Sequence, residues 1–129
     1  MLAIAMQESS LSSRQQFQGP ARSFWQFEMN GIVAVMMNQD VGHMAFEACD
    51  ALGVNPNAVD VYNIFARSDG DELAACFARL LILADPERLP LTPIDGWNYY
   101  LRNWRPGKPR PVDWSQNWLI SNETVSTER

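Results

Sequence analysis

Leu73, Cys76, Phe77, Leu80, Leu81 and Ala84 recur at three- and four-residue intervals, and this stripe constrains the fold more than any other feature of the chain. Asp69-Gly70-Asp71-Glu72 precedes it with capping-box spacing, and Asp85-Pro86 stops it. A helix apolar along one face must bury that face against other elements, and the flanking punctuation marks those elements as helices too. A first helix ends near Ser10, followed by a polar loop from Ser12 to Gly19. Asn30 caps a helix through Asn38, and Asp40 caps another through Leu52, closed by Gly53. Asn55-Pro56 pairs a cap with proline at the first helical position and opens a helix to about Arg67. Pro90 and Pro93 mark a loop, Ile94 to Trp104 a further helix, and Pro106 to Pro111 a proline-rich linker. A last helix is expected from about Asp113 to Ser121. The expectation is an α-dominated fold, α+β at most, with residues 23–28 as a short extended segment or hairpin arm. One domain spans 1–121, and a polar, frayed tail spans 122–129.

Composition removes several function classes. With 47% hydrophobic and 19% charged residues, the 129-residue chain has the make-up of one globular domain. No apolar run approaches the roughly 20 residues of a membrane-spanning helix, so no membrane insertion is expected. A net charge of −5 argues against general nucleic-acid binding. His43 is the only histidine, which sets aside Ser-His-Asp, Cys-His and multi-histidine metal chemistry; it falls early in a helix. Cys49 and Cys76 are too few and too far apart for a zinc site. Both fall on apolar helical faces and read as reduced small hydrophobes, with a disulfide open if the two helices meet. The methionines read as core filler. No metal and no cofactor is expected.

Glu8 stands out against this background. It lies in Met1-Leu2-Ala3-Ile4-Ala5-Met6-Gln7-Glu8-Ser9-Ser10-Leu11, where Met1, Ile4, Ala5, Glu8 and Leu11 share one helical stripe. Burial disfavours the charged form of a carboxylate, so a glutamate on such a stripe holds its proton to higher pH, as a general acid requires. The competing readings are a helix phase that does not bury Glu8, or a glutamate bonded into a local structural network. Eighteen residues later comes Gln26, within Gly19-Pro20-Ala21-Arg22-Ser23-Phe24-Trp25-Gln26-Phe27-Glu28.

Glu8-Ser9-x-Leu11 followed by Gly19-x-Ala21-Arg22-x-Phe24-Trp25-Gln26 resembles the N-terminal signature of lytic transglycosylases and goose-type lysozymes. It is also similar to a small family of lysozyme-like proteins encoded by bacteriophages and prophages. The resemblance covers residues 1–28 and, less fully, Trp104 to Pro109. It implies a lysozyme-like helical domain in which Glu8 is the single catalytic acid, with Gly19, Ala21 and Phe24 as cleft wall and Gln26 reaching the substrate. Ser23 stands where the superfamily usually has a second glycine. The later A-Y-N motif is not intact: Cys76 and Phe77 replace its tyrosine and asparagine, and Val61-Tyr62-Asn63 holds the dipeptide elsewhere.

Further groups extend the candidate site. Ser9 follows the acid. In an extended segment Gln26 and Glu28 project on one face, making Glu28 a second carboxylate of the cleft or else a structural partner for Arg22. Trp97, Tyr99, Tyr100 and Trp104 cluster within eight residues, beside Arg102, Arg105, Lys108 and Arg110. Aromatic faces stack on sugars and arginines contact carboxylates, so Tyr99 and Tyr100 join the substrate-binding candidates. Trp97, Tyr100 and Trp104 also fit a core stripe. The resemblance thus implies an enzyme cleaving the glycan strands of peptidoglycan, as muramidase or lytic transglycosylase. The alternatives are an inactive phage virion or tail protein on the same scaffold, with other virion proteins as partners, and a partner-binding module that uses the aromatic and basic C-terminal segment. No signal peptide is visible; the implied setting is cytoplasmic on synthesis or virion-associated, acting on the cell wall. The abrupt start at Met1 reads as a chain that has lost upstream residues.

Overall fold

The computed structural model describes residues 1–127, and among them the regular structure is helical, with no strand. Seven α-helices follow in order: α1 (Leu2–Ser9), α2 (Met29–Met37), α3 (Gly42–Ala51), α4 (Ala58–Ile64), α5 (Asp71–Ala84), α6 (Pro93–Trp104) and α7 (Pro111–Thr127). A 3₁₀ turn, Ser68–Gly70, leads into α5. The fold is α-dominated, as the sequence pattern requires. No described helix is long and apolar enough to cross a membrane.

The α5 stripe organises the packing. Leu73, Phe77 and Leu80 face a core shared with α2, α3 and α4, where Phe65 meets Phe77 edge-on at 5.5 Å and Phe27 at 5.6 Å. Full burial of one such ring stabilises the fold by about 1.5–3 kcal/mol. A second core joins α1, α6 and α7 through Ala3, Ile4, Tyr99, Tyr100 and Trp114, with Ile82 carrying α5 into it. Trp25 and Trp104 touch both cores, and the Trp104 indole N–H donates to the Trp25 carbonyl at 2.9 Å. Cys49 is buried and Cys76 half-buried; both are free thiols. His43 lies early in α3, exposed.

Local chemistry moved several boundaries. The cap of α4 is Asn57, whose side chain accepts from the Asp60 N–H, rather than Asn55. The expected capping box before α5 does not form, because Gly70 takes the cap position and Asp69 pairs with Arg67 at 2.9 Å. Asn30 lies inside α2, after Glu28 as N-cap. Of the two forms expected for residues 23–28, the extended segment is not present, and a tight turn closed by an isolated antiparallel bridge between Arg22 and Phe27 stands in its place. Arg22 and Phe27 exchange reciprocal backbone hydrogen bonds at 2.7 Å, and the four residues between them turn tightly. Ser23 (φ 68°) and Gln26 (φ 57°) both take the left-handed conformation that breaks strand alternation. The tail expected to fray from Asn122 is helical to Thr127. No proline or glycine interrupts it, and Thr124 and Thr127 bond back to the carbonyls of Ile120 and Thr124. Glu128 and Arg129, the rest of that tail, lie outside the described residues.

Candidate active site

The apolar arc of α1 is centred one residue away from the stripe expected for it. Ala3, Ile4, Ala5 and Gln7 are buried, whereas Met1 and Leu11 are exposed. Glu8 therefore sits at the margin of the buried face and is half-buried, with its carboxyl at the wall of a cleft. That cleft, about 520 Å³, lies between the end of α1, the 16–28 turn, the end of α6 and the loop before α7. A second hollow of about 460 Å³ adjoins it, sharing Gln26, Glu28, Trp104 and Arg105 and extending past Asn30 and Asn103.

Burial and two neighbouring groups govern the chemistry of Glu8. Burial raises its pKa above the usual carboxylate value. The Tyr100 hydroxyl, donating to Oε1 at 2.8 Å, and the charge of Arg110 pull it partly back. Burial pushes the Tyr100 hydroxyl far above its ordinary range, and the adjacent carboxyl adds to this, so it remains a donor. The Tyr100 ring is fixed from behind, stacked on Trp114 with centroids 5.4 Å apart and planes 10° apart. The α6 stripe is thus core packing along most of its length. At Tyr100 it also delivers a hydroxyl into the cleft.

Gln26 and Glu28 line the cleft with Glu8, brought there by the turn rather than by strand alternation. The Gln26 amide N–H donates to Ser23 O at 2.8 Å. Glu28 is exposed, and it does not pair with Arg22, whose guanidinium donates to the carbonyls of Gly19 and Ala21. The remaining candidates lie apart. The Ser9 hydroxyl sits between the carbonyls of Ala5 and Phe24 at 2.9 and 2.8 Å, tying the end of α1 to the turn. The Tyr99 hydroxyl donates to Ile82 O at 2.7 Å inside the second core. Neither lines the cleft with Glu8. Of the turn residues, Ala21 lines it, while Gly19 and Phe24 do not; Phe24 packs beneath the Arg14 guanidinium at 4.5 Å.

Gln7 escaped the sequence reading, and Tyr62 entered it only as part of the displaced dipeptide. Gln7 is buried in an otherwise apolar arc. Its amide donates to Arg110 O at 2.9 Å and accepts from Asn117 at 2.8 Å, while its carbonyl accepts from the Arg110 guanidinium at 2.9 Å. This clamp holds Arg110 near Glu8. A polar residue three positions after Ile4 and four after Ala3 was the available signal. Tyr62 supports the turn, donating to Pro20 O at 2.6 Å while Arg22 lies 5.1 Å over its ring.

The cleft thus combines a half-buried acid, a fixed phenol donor, an amide and a second carboxylate. No group of histidine, cysteine, aspartate or glutamate among the described residues is arranged to hold a metal. No family model, curated protein or solved structure matches this chain.

Proposed function

We propose that the protein cleaves the glycan strands of peptidoglycan, with Glu8 as general acid and base. The observation that carries this reading is the Glu8–Tyr100 pair. It is a carboxyl whose pKa is raised by burial, held at 2.8 Å by a phenol, at the wall of a cleft of about 520 Å³ that adjoins a second hollow of about 460 Å³. Protonated Glu8 gives its proton to the bridging oxygen as the bond from the anomeric carbon to that oxygen breaks. The resulting carboxylate then takes the proton of the same sugar's 6-hydroxyl. That oxygen bonds to the anomeric carbon, closing an anhydro ring and returning Glu8 to its acid form. Glu28 supports this chemistry from the rim and does not activate water, as it would in an inverting hydrolase.

Mass spectrometry of the products from purified walls tests the proposal. Fragments with anhydro ends are expected, and they should survive Glu28→Gln. Reducing ends that carry labelled oxygen from water and vanish in that variant would make Glu28 the base of a hydrolase. A non-catalytic role in a phage virion draws support from one observation. Cys76 and Phe77, which stand in place of the third family motif, do not line the cleft, and Phe77 is wholly in the core. Absence of any product from intact walls would favour that second reading.

A further inference from the structure

Four cations lie between Arg102 and Arg110, and the structure divides them into two kinds. Arg102 is engaged, its Nε 2.6 Å from the Asp85 carboxylate. Arg110 is engaged as well, donating to Gln7 O and pairing with Asp113 at 3.8 Å. Arg105 and Lys108 join no ion pair and no side-chain hydrogen bond among the described residues, yet both line the cleft that holds Glu8. Both are exposed. Their surroundings make this more than scattered surface charge, since the chain as a whole carries −5. With Arg110 they place three cations in a cleft that also holds the carboxylates of Glu8 and Glu28, a local excess of positive side chains in a chain of net charge −5. Arg105 also occupies the left-handed position that ends α6 (φ 49°), where glycine or asparagine is the usual residue. A full arginine side chain is therefore kept at a position whose backbone disfavours it, at the junction of the two hollows.

We infer that Arg105 and Lys108 form a carboxylate-binding rim that selects glycan strands bearing anionic substituents over neutral ones. This rests on the reading of the cleft as a glycan site. Arginine offers a planar fork matched to a carboxylate, and lysine a mobile point charge beside it. Glu8 and Glu28, the carboxylates of the same cleft, do not satisfy either cation. The rim thus remains available to groups that project from a bound strand. Arg110 is left out because its guanidinium holds the α1–α7 clamp.

The test separates the rim from the chemistry by measuring binding. Glu8→Gln protein, which leaves strands uncut, is titrated calorimetrically with soluble peptidoglycan strands whose peptide stems carry free carboxylates. The same strands with those carboxylates amidated by ethanolamine form the second arm. Adding Arg105→Gln and Lys108→Gln should weaken binding to the free-carboxylate strands about tenfold. Two exposed charge pairs together supply about that, since a factor of ten is about 1.4 kcal/mol. Binding to the amidated strands should not change, and added salt should erase the difference. Equal binding of both preparations by the Glu8→Gln protein, or no loss in the rim variant, overturns the inference, as does absence of binding to either. The outcomes distinguish the two claims. Rim-dependent binding without cleavage by the wild-type protein leaves the rim standing and removes the catalytic reading. Cleavage without carboxylate preference does the reverse.

Discussion

Tyr100→Phe removes one oxygen atom and isolates what the phenol does for Glu8. The ring should stay in place, stacked on Trp114 and packed against Trp97 at 5.4 Å, so the loss is confined to the 2.8 Å bond to Oε1. A hydrogen bond to a charged group contributes about 1.5–3 kcal/mol, and one between neutral groups about 0.5–1.5 kcal/mol. The bond therefore favours ionised Glu8 over its acid form, and its removal should push an already raised pKa higher still. Each ~1.4 kcal/mol is a factor of ten, so the ionisation constant of Glu8 should fall about tenfold. The sign carries through to stability. A carboxyl whose folded pKa lies above its unfolded value contributes stability at low pH that is lost as pH rises through the folded pKa. The variant should accordingly be destabilised more at high pH than at low pH. Carboxyl-carbon NMR of Glu8 reads the first effect, and urea unfolding on either side of its titration reads the second. A titration midpoint that stays put, or moves down, would refute the reasoning.

Gly96 lies on α6 directly beneath Trp118 of α7, and a Cβ there would fall onto the indole ring. Gly96→Ala should lower stability by about 1–3 kcal/mol, despite alanine's better helix propensity. A denaturation midpoint equal to that of the parent would contradict this packing. The hydrogen bond from Arg102 holds the Asp85 carboxyl at about 2, against an ordinary 3.8, with the Glu87 and Asn103 N–H groups assisting. A depressed pKa contributes stability above the unfolded value that is lost as pH falls, here between about 3.8 and 2. With Arg102 half in solvent, the contribution is about 1–2 kcal/mol. Asp85→Asn should flatten acid unfolding in that window, and an unchanged acid profile would count against the pair.

The helices were legible because periodicity and punctuation are local. The α5 stripe and the Asp85-Pro86 stop specify that element without reference to the rest of the chain. Caps were less legible, since Asn55 and Asn57 carry the same chemistry and only the path of the chain decides between them. Glu8 was legible as an unusual residue, but the phase of an eight-residue helix was not: a shift of one position moves a carboxyl from core to cleft wall. For residues 23–28 the sequence leaves an extended segment and a hairpin arm open, because the left-handed backbone at Ser23 and Gln26 accompanies the Arg22–Phe27 closure rather than following from their own preferences. The Tyr100–Glu8 bond joins residues 92 apart in sequence, and no local pattern could announce it.

The central claim is that Glu8 is the acid of a glycan-cleaving site, and clearance of purified peptidoglycan by Glu8→Gln tests it most directly. Glutamine can still accept from Tyr100 but cannot transfer a proton. Lysis should fall by about 10²–10⁴-fold. Because the raised pKa marks a carboxylate that burial destabilises, the variant should also unfold at a higher denaturant concentration than the parent once pH exceeds that pKa. A folded variant that clears walls as fast as the parent would contradict the account.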